Sequence, residues 1–305
     1  TPAKTGEEAL PGLVWYFGGG LQWGYTSEME FDGERMARRG IVVVTVNYRL
    51  GVFGFLAHPQ LTSEQPDAPT NFGSLDQQAG LNWVRRNIRA FGGDPDCITI
   101  AGQSAGGGSV MSQITCPKNK GLIKRAIVQS GIIRSPYMPD GFGRPGGMKA
   151  VEENGRIFLE EYLGVDTIER ARQLDAFYIR DKYGEYASKH PRFFTNMDGS
   201  FAVGDPVSLC AAGDCLDVDI MAGNTVDEFR SFIPAADDKE LSAKAEGIFG
   251  EKAEKFLALP GARESDGHGR YASVSPIEVT AKAMFSRLKE HSPDNRYYYH
   301  RFNPD

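Results

Sequence analysis

Ser104 stands at the centre of Gly102-Gln103-Ser104-Ala105-Gly106, after the β-branched run Ile98-Thr99-Ile100 and before a helix-compatible stretch over 109–114. A serine hydroxyl is a weak nucleophile near neutral pH. It attacks a carbonyl when a base takes its proton and an acid orients that base. Glycine two positions to either side lets the chain turn sharply from strand to helix without Cβ clashes. Such a turn lifts the serine above the sheet edge and leaves the Ala105 N–H at a helix N-terminus. The partial positive charge there favours a developing oxyanion. A pentapeptide of this kind arises by chance in about one chain of this size in ten, so its surroundings decide its meaning.

Those surroundings are strands and helices in alternation. Leu13-Val14-Trp15-Tyr16-Phe17 is apolar throughout, as a strand buried on both faces is, and it runs into Gly18-Gly19-Gly20. Consecutive glycines there suit a loop whose amides approach a substrate oxygen. The pattern predicts a helix over 29–39 that stops at Gly40, and a strand over 41–47. Residues 48–69 read as loop. A helix capped by Ser74 runs to Asn87, and Phe91-Gly92-Gly93-Asp94-Pro95 ends it before the strand that leads to Ser104. Another strand covers 124–129.

From residue 135 the texture changes. Pro136, Pro139, Gly141, Gly143, Pro145, Gly146 and Gly147 break regular structure, and helix-like segments then run to about Tyr186. The sequence thus divides into a core over 1–134, a helical cap-like insertion over 135–200, and a continuation of the core over 201–305. Phe177, Tyr178, Tyr183, Tyr186, Phe193 and Phe194 are candidates to line a pocket, although packing is the commoner role of such rings. Residues 218–223 read as a returning core strand that delivers Asp227 and Glu228 into a loop at its C-terminal end. Open α/β sheets carry their chemistry at that end. Helices over 237–258 and 275–290 precede a last strand over 296–302.

The chain has 305 residues and a net charge of −6, with no basic stripe to neutralise phosphates, which argues against nucleic acid. No apolar run is long enough to cross a bilayer. Cys97, Cys116, Cys210 and Cys215 form no CxxC pair and have no histidine at metal-ligand spacing, so neither metal nor cofactor is expected. Cys97 and Cys116 read as buried thiols. Cys210 and Cys215 are close enough to bridge in an oxidising setting, but the reduced state, and with it a cytoplasmic location over a secreted one, is favoured.

Taken together these residues resemble the type-B carboxylesterases, the carboxylesterase/cholinesterase family. The resemblance rests on Gly18-Gly19-Gly20, Asn47-Tyr48-Arg49-Leu50-Gly51, Asn71, Gly73, Asp76-Gln77, Trp83-Val84, Asn87-Ile88 and Phe91-Gly92-Gly93-Asp94-Pro95. It continues through Gly102-Gln103-Ser104-Ala105-Gly106-Gly107, Ala126-Ile127, Gln129-Ser130-Gly131, Gly223-Asn224 and Asp227-Glu228. It is dense over 13–131 and patchy beyond. It implies an α/β-hydrolase fold, with a mostly parallel central sheet flanked by helices and a helical cap insertion. It further implies Ser104 as nucleophile, Glu228 rather than Asp227 as triad acid, and the amides of Gly19, Gly20 and Ala105 as the oxyanion hole. Arg49 and Asp76 resemble the family's buried ion pair, whose truncation would cost about 3–5 kcal/mol. Gln103 departs from the glutamate of the cholinesterase branch, and no choline-stacking tryptophan is visible, so a neutral small or aryl ester fits better than a cationic one.

The triad histidine is the gap. His58 and His190 precede the acid, whereas the α/β-hydrolase order is Ser, acid, His. His268 lies in a polar glycine-rich loop, His291 at a helix end, and His300 inside a strand, where it is the in-chain fallback. The resemblance puts the base just past Asp305 and antiparallel strands before residue 13. The expectation is therefore a central portion of a longer enzyme, whose remaining N- and C-terminal portions would be its partners beside the small-molecule ester. The rival readings are a lipase or peptidase on the same machinery, and a catalytically silent binding or adhesion protein on the same fold.

Overall fold

A computed structural model describes residues 1–132 and 147–303. The strands are β1 (Leu10–Tyr16), β2 (Val42–Thr45), β3 (Gly93–Gln103), β4 (Arg125–Gln129), β5 (Asp219–Thr225), β6 (Ser231–Pro234), β7 (Arg270–Val274) and β8 (Tyr297–Phe302). Six of them make one sheet in the order β2-β1-β3-β4-β5-β8, with every neighbouring pair parallel. The remaining pair, β6 and β7, is antiparallel.

The central strands read as continuous apolar runs because helices cover the sheet. Val14, Ile98, Ile100, Ala126, Val128 and Ile220 are buried with Leu81 and Val84 of the Phe72–Asn87 helix and Val110 and Ile114 of the Ala105–Thr115 helix. Ala281, Met284 and Leu288 of the Pro276–His291 helix join the same core. Fully burying a side chain of this size stabilises by about 1.5–3 kcal/mol, so this cluster holds the strand ends in register.

A second apolar cluster joins Phe17, Tyr48 and Phe55 to Phe158, Leu159, Tyr186 and Phe193 from the segment after residue 147. The expected ring packing is found at Tyr183, Tyr186 and Phe193, which stack on one another and meet Phe158 edge-on. Phe177 and Tyr178 are exposed. The breakers Pro136, Pro139, Gly141, Gly143, Pro145 and Gly146 lie outside the described residues. A third, smaller cluster gathers Ile233, Leu241, Ala245 and Leu257 beside the antiparallel β6–β7 pair and the helices between them.

The Gly147–Ile157 helix docks on residues 57–62. A Cβ at Gly155 would fall 1.8 Å from the Ala57 carbonyl oxygen, so only glycine permits that approach. Thr62 donates to Glu152 at 2.5 Å. Beside this contact His58 is buried, and its Nδ1 accepts the Gln60 N–H at 3.2 Å, capping the Pro59–Glu64 helix. Burial holds the His58 pKa below its ordinary 6.5, against the attraction of Glu152 and Glu160 and aided by Arg156. A base with a depressed folded pKa contributes stability that is present above its unfolded value and lost as pH falls through the folded one. The melting midpoint should therefore drop between about pH 7.5 and pH 5. His58→Asn, which keeps a capping acceptor but does not titrate, should flatten that slope. Equal slopes for the two proteins would remove His58 from the account.

Several expectations are corrected by packing. The 29–39 stretch is a short 3₁₀ turn, Met29–Phe31, and a single helical turn, Glu34–Ala37. The break falls at Asp32, whose ψ of 114° is extended, and the Gly33 that follows packs so close to β2 that a Cβ would press 2.6 Å from Val43 Cγ1. Residues 48–69 are not plain loop but hold the helices Gly51–Phe55 and Pro59–Glu64. The cap of the next helix is Asn71, in left-handed geometry at φ 62°, while Ser74 is buried inside the first turn. The Arg49–Asp76 pair forms at 2.7 Å, but the Arg49 side chain is 54% exposed and lies over the Phe72 ring. Solvent screening of so open a pair brings its contribution to about 1 kcal/mol or less, well below the buried-pair figure. Cys97 is half-buried rather than buried, with Arg125 Nη1 3.4 Å from its sulfur.

Candidate active site

Ser104 follows the last residue of β3 and precedes the first turn of the Ala105–Thr115 helix, with φ 55° and ψ −123°. A serine in that region is strained by about 1–3 kcal/mol and persists only where the neighbours over-determine it. They do so here. The Ser104 N–H donates to the Gln129 carbonyl of β4 at 2.8 Å, and its own carbonyl accepts the Gly108 N–H at 2.9 Å. A Cβ on Gly102 would sit 2.4 Å from the Gly106 backbone, and one on Gly106 would sit 2.1 Å from the Tyr16 carbonyl of β1. The two flanking glycines are therefore a steric requirement of the turn.

The glycine loop at the end of β1 lies against this turn, since a Cβ on Gly18 would come within 3.3 Å of Ser104 Cβ. Gly19 adopts φ +94°, and its carbonyl accepts the N–H groups of Gln22 and Trp23 at 3.0 and 3.2 Å. Among the described residues the N–H groups of Gly19, Gly20 and Ala105 find no acceptor. Amides left free in this way can hold a developing oxyanion where they face the reacting carbonyl. The root of the loop is fixed by Tyr48, whose ring stacks on Phe17 at 4.4 Å and whose hydroxyl donates to the Phe17 carbonyl at 2.6 Å. Burial pushes the Tyr48 phenol pKa up, so it remains a neutral donor.

Glu228 lies half-buried in the loop after β5, two strands from Ser104 in the sheet order. Its Oε2 accepts the Ser130 hydroxyl at 2.6 Å, the Thr225 N–H at 3.1 Å and the Thr225 hydroxyl at 3.3 Å. Ser130, directly after β4 at φ 53°, donates its N–H to the Gly223 carbonyl at 2.8 Å. The nucleophile turn, Ser130 and the carboxylate thus hang from three consecutive parallel strands. Asp227, the other acidic candidate, is exposed. Ser130 has no counterpart in the reading of the sequence beyond its place in Gln129-Ser130-Gly131. The signal available was a serine closing the strand between nucleophile and acid. Asn224 steadies the same loop by accepting the Tyr299 hydroxyl and donating to the Thr225 carbonyl.

The histidines are dispersed. His58 caps a helix, His190 stacks on Tyr186 at 4.6 Å, His268 is exposed, and His291 ends its helix. His300 pairs with Gly223 across β5 and β8, so close that a Cβ on Gly223 would meet its ring at 2.4 Å. Its Nδ1 is buried without a hydrogen-bond partner, and it bonds neither Ser104 nor Glu228 among the described residues. The C-terminal end of β8 nevertheless comes to the acid loop, where the Val226 N–H donates to the Phe302 carbonyl at 3.1 Å. Among the described residues no three His, Cys, Asp or Glu side chains gather as metal ligands.

A cavity of about 560 Å³ begins one residue beyond the glycine loop, lined by Leu21, Met148, Val151, Phe194 and Met197 with Arg192 at its side. Of the six candidate rings, only Phe194 lines it. Another cavity, of about 590 Å³, lies between the Gly51–Phe55 region and the helices after residue 158, and neither Ser104 nor Glu228 lines either cavity.

A mostly parallel sheet flanked by helices, with a serine on a strained strand-to-helix turn, places the fold in the α/β-hydrolase class. A family model described as the carboxylesterase family matches residues 1–299. The chain belongs to that family. It is 34% identical over 275 residues to the para-nitrobenzyl esterase of Bacillus subtilis, covering 88% of this chain and 54% of that one. It is 34% identical over 267 residues to the fumonisin B1 esterase of Sphingopyxis macrogoltabida, covering 84% and 47%. It is also 37% identical over 237 residues to the bile salt-activated lipase of Rattus norvegicus, covering 70% and 36%. A solved PNB esterase structure superposes with a TM-score of 0.71 at 29% identity, over 97% of this chain and 60% of that one. A Geobacillus stearothermophilus carboxylesterase gives the same TM-score at 27% identity, over 100% and 64%. The chain spans about half the length of the curated esterases it matches, and about a third of the lipase.

Proposed function

We propose that this chain carries the nucleophile, acid and oxyanion donors of a serine carboxylic ester hydrolase that works through an acyl-enzyme. The observation that supports it most is the strained Ser104 turn with the glycine loop packed against it at Gly18. Ser104 Oγ attacks the ester carbonyl while a histidine takes its proton, and the three amides hold the oxyanion. Collapse of the tetrahedral intermediate expels the alcohol, protonated by the same histidine. Water then attacks the acyl-enzyme by the reverse sequence and frees the acid. Glu228 orients and stabilises the imidazolium. Each oxyanion donor supplies about 10²–10³ in rate.

The base this reading requires is a histidine facing the Glu228 loop, against which β8 ends, with His300 as the fallback within these residues. The apolar cavity beyond Gly20 suits a neutral small or aryl ester. The lipase reading is kept open by the bile salt-activated lipase relative, and a panel of acyl chain lengths separates the two.

A fluorophosphonate probe tests the assignment on the full-length protein. Stoichiometric labelling at Ser104, together with loss of p-nitrophenyl acetate turnover, is the expected outcome. A silent protein would leave Ser104 unlabelled, and labelling elsewhere would move the site.

A further inference from the structure

Cys210 and Cys215 take no part in the chemistry above, yet the chain is folded so as to bring them together. The Pro206–Ala212 helix ends in Gly213 at φ +84°. The Gly213 N–H donates to the Cys210 carbonyl at 3.0 Å, and the Asp214 N–H donates to the Leu209 carbonyl at 2.9 Å. This left-handed reversal turns the chain back over the last helical turn. Cys210 is fully buried in the sheet core, and Cys215, five residues on and past the reversal, packs half-buried against the same core. Neither other cysteine is so placed. Cys97 faces Arg125, and Cys116 accepts from Gln78 at 3.5 Å.

The position of the pair matters to the frame. Leu216, next in the chain, donates its N–H to the Ile114 carbonyl at 2.8 Å, in the last turn of the helix that begins after Ser104. Three residues further on, β5 begins its run toward Glu228.

We propose that Cys210 and Cys215 form a reversible disulfide by exchange with a small-molecule disulfide such as oxidised glutathione, Cys215 attacking and Cys210 resolving. The Cys215 thiol gives its proton to solvent, and its thiolate attacks one glutathione sulfur. The glutathione S–S bond breaks, and one glutathione thiolate leaves and is protonated. The Cys210 thiol then loses its proton and attacks Cys215 Sγ of the mixed disulfide, expelling the second glutathione. Two protein thiols are oxidised and one glutathione disulfide is reduced to two glutathiones, so atoms and electrons balance. Exposure favours Cys215 for the first attack. The neighbouring thiol also lowers the Cys215 pKa and raises that of Cys210, in keeping with these roles.

Intact-mass and peptide mapping of the full-length protein, treated with oxidised glutathione, test the pair. The expected result is loss of two hydrogens confined to the peptide holding Cys210 and Cys215, restored by dithiothreitol. Cys210→Ala should trap one glutathione on Cys215. Cys215→Ala should slow adduct formation at Cys210 by about ten-fold or more relative to that reaction. The proposal fails if the wild-type mass is unchanged while an unstructured peptide thiol reacts to completion. It also fails if Cys97 or Cys116 takes the adduct first.

Discussion

Ser104→Ala in the full-length protein is expected to lower the turnover of p-nitrophenyl acetate by about a million-fold, the loss that follows removal of the nucleophile in serine hydrolases. The change deletes one oxygen and keeps the Cβ, so the φ 55° strain and the steric demands of Gly102 and Gly106 are untouched. The hydrogen bonds that hold the turn, to the Gln129 carbonyl and from the Gly108 N–H, are made by backbone. The melting midpoint should therefore stay near that of the wild type. Steady-state assays beside thermal melts check both halves. Turnover within ten-fold of wild type would end the covalent mechanism, and a collapsed melt would make the activity loss a folding effect.

Glu228→Gln should lower kcat by about 10⁴, with KM nearly unchanged, because the carboxylate acts on the charge of the base rather than on the substrate. An amide oxygen can still accept from Ser130 and Thr225, so the loop should hold its geometry while the negative charge is gone. Asp227→Asn is the control. That side chain is exposed, and its change should leave kcat within a few-fold of wild type, as surface substitutions generally do. The reverse pattern, a large loss at 227 and a small one at 228, would transfer the acid role to Asp227.

The two expected losses differ in size for a physical reason. Removing the nucleophile abolishes the covalent path, whereas removing the carboxylate leaves a base that is misoriented and less stabilised in its charged form. Residual rate in either variant would come from oxyanion donors and substrate binding.

What could be read from residues alone was whatever depends on neighbours a few positions away. Apolar and β-branched runs such as 13–17 and 98–100 suit strands covered on both faces, and glycines at 102 and 106 admit a turn that a Cβ would block. Short-range patterns of this kind marked out the Ser104 turn, the glycine loop, both acidic residues and the parallel sheet. Tertiary contact decided the rest. The 29–39 stretch is broken where Asp32 turns extended, and Gly33 beside it comes against Val43 of β2, ten residues on, closer than a Cβ would allow. Arg49 and Asp76 pair as expected, but their exposure depends on what packs above them, and that sets the strength of the pair. The link from Ser130 to Glu228 joins residues 98 apart in the chain, brought together only when β4 and β5 pair in parallel. Local composition determines which elements form; long-range strand pairing determines which side chains meet, because hydrogen-bond geometry is satisfied across the sheet and not along the chain.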